Sequence, residues 1–225
     1  MYLFITGPLL WFSFLFFIIG CVVHVILYIN GLDWKLDRVT YTKNIPYGLN
    51  GAARSVFFWL IPYGTQSWRN NPAFTLIVFL FHFGILFTPL FLNAHQVILR
   101  ERWGINLWAI PDSLADVLTL CVIATALILL LRRIALPSVR ILSTFHDIVV
   151  LVIAVLPFIT GFLAYHQVSD SQFWLMLHVL SGELMLIAIP LSKLSHVVKF
   201  FCSRVQLGID FGVKRGGMKS GGMKW

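Results

Sequence analysis

Five long apolar runs separated by short polar segments dominate this chain. They fall near residues 5–29, 73–99, 113–131, 146–165 and 172–199. Each is long enough to span the bilayer core, which takes about 20 helical residues. Strands of a membrane barrel would instead alternate apolar and polar positions over about ten residues, and these runs do not alternate. The pattern predicts an all-α integral membrane protein, a five-transmembrane-helix bundle over residues 1–204. A basic Gly/Lys-rich tail is expected over 205–225. The first run lacks a basic leading region and an A-x-A-like cleavage site, so it is expected to be retained as a span.

Composition agrees with this reading. The chain is 59% hydrophobic and 12% charged, with a mean hydropathy of +0.86, far from the balance of a soluble domain. The net charge of +8 does not point to nucleic acid, because its placement follows topology. Lys35, Arg38, Lys43, Arg54 and Arg69 lie between runs one and two, and Arg132, Arg133 and Arg140 between runs three and four. Seven more, from Lys193 to Lys224, lie at and beyond the end of run five. Only Arg100 and Arg102 of the 17 basic residues fall on the other side. The positive-inside rule then places the N-terminus outside and the C-terminus in the cytoplasm.

Cys21, Cys121 and Cys202 are scattered. There is no C-x-x-C-H for covalent haem and no four-cysteine set for an iron–sulfur cluster. The tail "VKRGGMKSGGMKW" lacks the Gly-Lys-Ser/Thr order of a phosphate loop and is read as a flexible basic segment.

Histidine is the residue type that carries chemistry here. Ionisable or metal-binding side chains inside spans are rare and usually functional. Run two carries His82 and His95, and run five carries His178 and His196. The two runs cross in opposite directions, so depth matches His82 with His196 and His95 with His178. Two imidazole pairs on facing helices make two bis-histidine haem sites, one near each membrane surface. On unbroken helices, the 18-residue separation of His178 and His196 puts both on one face, about 27 Å apart. The 13-residue separation of His82 and His95 leaves a mismatch of roughly 140°, which a kink at Pro89 is expected to absorb. A lone histidine in a span is as readily a packing residue as a ligand. Two depth-matched pairs favour ligation.

The wording around these residues carries a resemblance. "FHFGIL" around His82 resembles the second span of the respiratory nitrate reductase gamma subunit, a di-haem cytochrome b. Run five matches better, with His178, Gly182, Pro190, Ser192, Lys193, Leu194 and His196 at the family spacing H-x3-G-x7-P-x-S-[RK]-L-x-H. "RRIALPSVR" followed by Asp147 is similar to the family's third-to-fourth connection. The 13-residue spacing in run two, the "PLFLNAH" segment and the loop "IPYGTQSWRNNPAF" look instead like the cytochrome b subunits of sulfate-reducer transmembrane complexes of the Hmc, Tmc and Dsr types.

That resemblance implies two haem b groups, His82 and His196 holding the inner iron and His95 and His178 the outer. It implies that Gly182, one turn from His178, lets a porphyrin approach the helix. It also implies anaerobic respiratory electron transfer. The expected partners are a cytoplasmic iron–sulfur protein related to heterodisulfide reductase, a periplasmic multihaem cytochrome c and other membrane subunits. The chain itself would be an electron-transfer subunit of an oxidoreductase complex.

Other polar residues are candidates beside simpler roles. Arg69 and Lys193 could pair with haem propionates, or merely follow the positive-inside rule. Asp112, Asp116 and His166, at the outer ends of runs three and four, could form a quinone site taking menaquinone; helix capping would equally explain Asp112. Glu183, deep in run five, is read as a protonated, hydrogen-bonded bundle residue. His24 has no evident partner in the sequence. A haem-free membrane anchor is the alternative function, although an anchor needs none of the four histidines. A transporter would show inverted repeats and paired broken helices, and neither pattern is evident.

Overall fold

In a computed structural model, residues 2–32 and 45–214 are described. Lys35, Arg38, Lys43 and the last eleven residues, which hold most of the basic tail, lie outside them. Five helices are long and apolar enough to cross a membrane: Tyr2–Asn30, Pro72–Phe91, Asp112–Ala135, Phe145–Tyr165 and Ser171–Leu191. They are spans one to five, and the chain is a multi-pass membrane protein. Among the described residues there is no β-strand, only an isolated bridge between Leu92 and Ile110.

Local chemistry sets the span ends. Span one opens with a π-turn at Ile5–Leu9 around Pro8, which lacks the N–H of a regular turn. Span three ends on Arg132 and Arg133, cations that complement the negative end of the helix dipole. Span four opens on Thr144, whose backbone N–H and hydroxyl both donate to the Asp147 carboxylate, at 2.8 and 2.9 Å. Asp147 is thereby a capping residue.

Two expected spans are shorter than their apolar runs. The run 73–99 is split at Leu92, which takes an extended conformation (φ −67°, ψ 130°) between the helices Pro72–Phe91 and Asn93–Trp103. The run 172–199 is split at Ser192 (φ −129°, ψ −172°), followed by a 3-10 turn Lys193–Ser195 and a new helix His196–Lys214. Each break comes two or three residues after an in-helix proline, Pro89 or Pro190. The registers calculated on unbroken helices are corrected accordingly. His82 and His95 stand on different helices, as do His178 and His196, so neither the 140° mismatch nor the shared face applies. The residues 205–214, expected in the tail, continue the His196–Lys214 helix.

The chain divides into two compact units. Among the described residues, one comprises 2–14 and 76–188, the other 15–32, 45–75 and 189–214. The first is centred on Phe81, Val122, Ala126, Val155 and Phe158, contributed by spans two, three and four. Leu, Ile and Val side chains on the outer faces of its spans are largely exposed, as a lipid-facing surface requires. In the second unit, helix Ile45–Leu60 packs along His196–Lys214. The guanidinium of Arg204 lies 4.5 Å from the centre of the Trp59 ring, a cation–π contact. Five crossings put the segment between spans one and two on the same side as the chain beyond span five. The packing of these two helices obeys that parity.

Candidate functional site: a paired-histidine centre

The break at Leu92 leaves three carbonyls without their usual helical donors, and each finds another. The Pro89 carbonyl accepts from His95 Nδ1 at 2.9 Å, that of Leu90 from the side-chain amide of Gln96, and that of Phe91 from the Ile110 N–H at 2.9 Å. Exposed to hydrocarbon, each would cost free energy. The break therefore positions His95: its ring is tied across the gap to the end of span two. Sequence reasoning missed Gln96, which is buried.

His178 is held by a different device. Its Nδ1 donates to the Pro157 carbonyl of span four at 2.8 Å. The approach needs Gly161, where a Cβ would stand 2.8 Å from Nδ1 and 2.9 Å from Cε1 of the ring. Nothing in the sequence tied this glycine to a histidine on another span. Its place one turn after Pro157 was the available signal.

The two rings meet. His95 lies past the end of span two and His178 within span five, yet their centroids are 5.9 Å apart with planes 14° from parallel. A metal ion sits about 2 Å from an imidazole nitrogen, which puts the centroids of two imidazoles sharing one ion roughly 6 Å apart. Outside the spans, burial pushes the His95 imidazole below the usual histidine range, and the Pro89 carbonyl opposes this only in part. A neutral ring is the ligating form. At Gly182 a Cβ would meet no atom within 4 Å, so the helix surface one turn from His178 is open to a flat ligand. These residues fit a haem, whose porphyrin supplies the remaining iron ligands. Among the described residues no three His, Cys, Asp or Glu side chains are grouped to hold a metal by themselves.

The other expected ligands share one feature of this pair. His82 Nδ1 donates to the Val78 carbonyl at 2.8 Å, and His196 Nδ1 to the Lys193 carbonyl at 2.9 Å. In all four histidines Nδ1 is turned to a backbone carbonyl, the contact by which a ligating imidazole is held with Nε2 towards its metal. His24 and His166 show the reverse, using Nε2. His24 Nε2 bonds the Pro190 carbonyl at 2.7 Å, so the partner that the sequence did not reveal is the second helix break. His82 is half-buried and His196, which opens the helix beyond span five, is exposed.

The remaining candidates separate into two groups. His166 Nε2 lies 3.1 Å from the Asp116 carboxylate, and the Asp112 carboxylate lies close enough to the Tyr165 hydroxyl to interact with it. Pro111, not Asp112, occupies the cap position of span three, so capping does not account for Asp112. Tyr165 is a member of this cluster that sequence reasoning missed. Arg69, in the short helix Gln66–Asn70, and Lys193, in the 3-10 turn, are both exposed and belong to the other unit. Glu183 departs from expectation. It is 3% exposed, and neither carboxylate oxygen has a hydrogen-bond partner.

In comparisons with known proteins, the chain is 52% identical over 221 residues to a protein of Nitratidesulfovibrio vulgaris (strain Hildenborough), covering 98% of each chain. That relative carries only the name "Protein". No protein-family model matches the sequence, and no solved structure matches it.

Proposed function

Taking as premise that the chain belongs to one family with the Nitratidesulfovibrio vulgaris protein, we propose that it is a membrane di-haem b cytochrome subunit of an anaerobic respiratory complex. Haem b at each site would supply reversible one-electron chemistry. Electrons would pass between a periplasmic multihaem cytochrome c or the quinone pool and a cytoplasmic iron–sulfur subunit. The observation that carries the proposal is the shared tautomer of His82, His95, His178 and His196, each with Nδ1 on a backbone carbonyl. Metal-ligating histidines are typically oriented this way.

His95 and His178 hold the outer iron in this reading, with Gly161 and Gly182 giving ring and porphyrin their room. His82 and His196 hold the inner iron, a pairing that rests on the resemblance of span five and its continuation. Arg69 and Lys193 are the proposed propionate partners on the basic side. Asp112, Asp116, Tyr165 and His166 supply proton-exchanging groups for a quinone such as menaquinone. The N-terminus lies outside and the C-terminus in the cytoplasm, in a bacterial inner membrane. Moving one electron inward against the membrane potential costs about 2.3 kcal/mol per 100 mV, which the haem potentials must offset. A haem-free anchor is the competing function, and it gives no reason for four imidazoles each tethered through Nδ1.

The test is electron transfer across a sealed bilayer. The protein is purified with its complex, reconstituted into liposomes loaded with ferricyanide, and given an impermeant reductant outside. The proposal expects reduction of the trapped ferricyanide, lost in His95→Ala. Equal rates in protein-free and protein-loaded vesicles would refute it.

A further inference from the structure

Helix Ile45–Leu60 is apolar on the wrong side for a soluble helix. Its packed face is small: Gly48, Gly51, Ala52 and Ser55 face the His196–Lys214 helix or lie beside its contact. The fit is close, since a Cβ at Gly208 would clash with the Gly51 carbonyl and stand 2.7 Å from Ala52 Cα. At 3.6 residues per turn, Ile45, Leu49, Ala53, Phe57 and Leu60 share an arc of about 120° on the opposite face. All five are exposed, with Ile45 and Leu49 at 61% and Phe57 at 59%. A continuous apolar arc of this kind marks a surface that something covers.

We propose that Ile45–Leu60 lies in the plane of the membrane, with this arc among the acyl chains on the basic side of the bilayer. Three observations select lipid as the occupant. The helix is tethered along the chain between spans one and two, which holds it beside the bilayer. It contains no acidic residue, and Lys199 and Arg204 lie on the helix it packs against, which complements anionic headgroups. Trp59 and Trp68 meet at its end, the two indoles edge to face at 5.7 Å, with Tyr63 between them in the sequence, and such side chains favour the membrane interface. A docked subunit would meet almost no hydrogen-bonding side chain along the arc, where protein interfaces normally place several.

The test uses the full chain with Cys21, Cys121 and Cys202 replaced by alanine. Spin labels are placed at Leu49→Cys and, as the polar reference, Lys199→Cys. The protein is reconstituted in phosphatidylethanolamine–phosphatidylglycerol vesicles, and label collisions with oxygen and with a water-soluble nickel chelate are compared. The expected result is an oxygen-to-nickel collision ratio at least fivefold higher at Leu49 than at Lys199, reproduced at Phe57→Cys. A ratio at Leu49 equal to that at Lys199 would overturn the proposal. Low collision with both reagents would also overturn it, since a protein surface would then cover the arc. Leu49 and Phe57 are 61% and 59% exposed, so neither label has to enter the packed face of the helix.

Discussion

Gly161 and His178 fit together only because Gly161 has no side chain: a Cβ there would press on the imidazole at 2.8 Å from Nδ1. The ring would lose the Pro157 carbonyl that fixes its tautomer. Gly161→Val is therefore expected to behave like loss of the ligand itself. The b haem content should fall from two per chain to one, with the inner haem spectrum kept. A spectral count on purified Gly161→Val, beside His178→Ala, checks this.

Gln96 closes the helix break from within. Its amide satisfies the Leu90 carbonyl, next to the carbonyl that holds His95. Gln96→Leu leaves that carbonyl without its donor and should cost about 1–3 kcal/mol. Thermal unfolding of the reconstituted protein would show a lowered midpoint, with the outer haem absorbance lost before the inner.

His24 serves as the internal control. It bonds the Pro190 carbonyl through Nε2, the opposite orientation to the four proposed ligands. His24→Ala is expected to lower stability modestly, by about 1 kcal/mol, while both b haems remain. Loss of a haem in His24→Ala would count against the tautomer argument.

Glu183 is buried with neither oxygen partnered. Replacing an orphaned polar group with an apolar one of similar shape is usually neutral or stabilising. Glu183→Leu should therefore match or exceed the wild type in thermal midpoint. If electron transfer falls while stability holds, Glu183 has a redox role beyond packing.

Asp116, near the start of span three, and His166, at the end of span four, hold each other at 3.1 Å. Asp116→Asn should slow reduction of the haems by a menaquinol analogue by tenfold or more and leave the b haem count at two. An unchanged rate would remove this cluster from the quinone reading.

The spans were legible in the sequence because a bilayer demands long apolar runs, and nothing else in the chain imitates them. The breaks were not. Pro89 and Pro190 announce a disturbance, but the place of each rupture depends on which donors reach the freed carbonyls, and those come from Gln96, Ile110 and His24. Helix Ile45–Leu60 was hidden for the opposite reason. Its packed face is made of Gly and Ala, its outer face of apolar residues, and Pro46 with two glycines masks its helical period. The histidines themselves were legible as candidates. That His95 and His178 meet, although His95 stands beyond the break in its run and His178 before the break in its own, required coordinates, as did the part played by Gly161.

The most direct test of the account is the number of b haems per chain. A pyridine haemochrome assay on the purified complex, corrected for c-type haem on partner chains, reports it for the wild type, His178→Ala and His196→Ala. Two haems in the wild type and one in each variant are predicted. A wild-type chain without b haem would contradict the account and leave a membrane anchor.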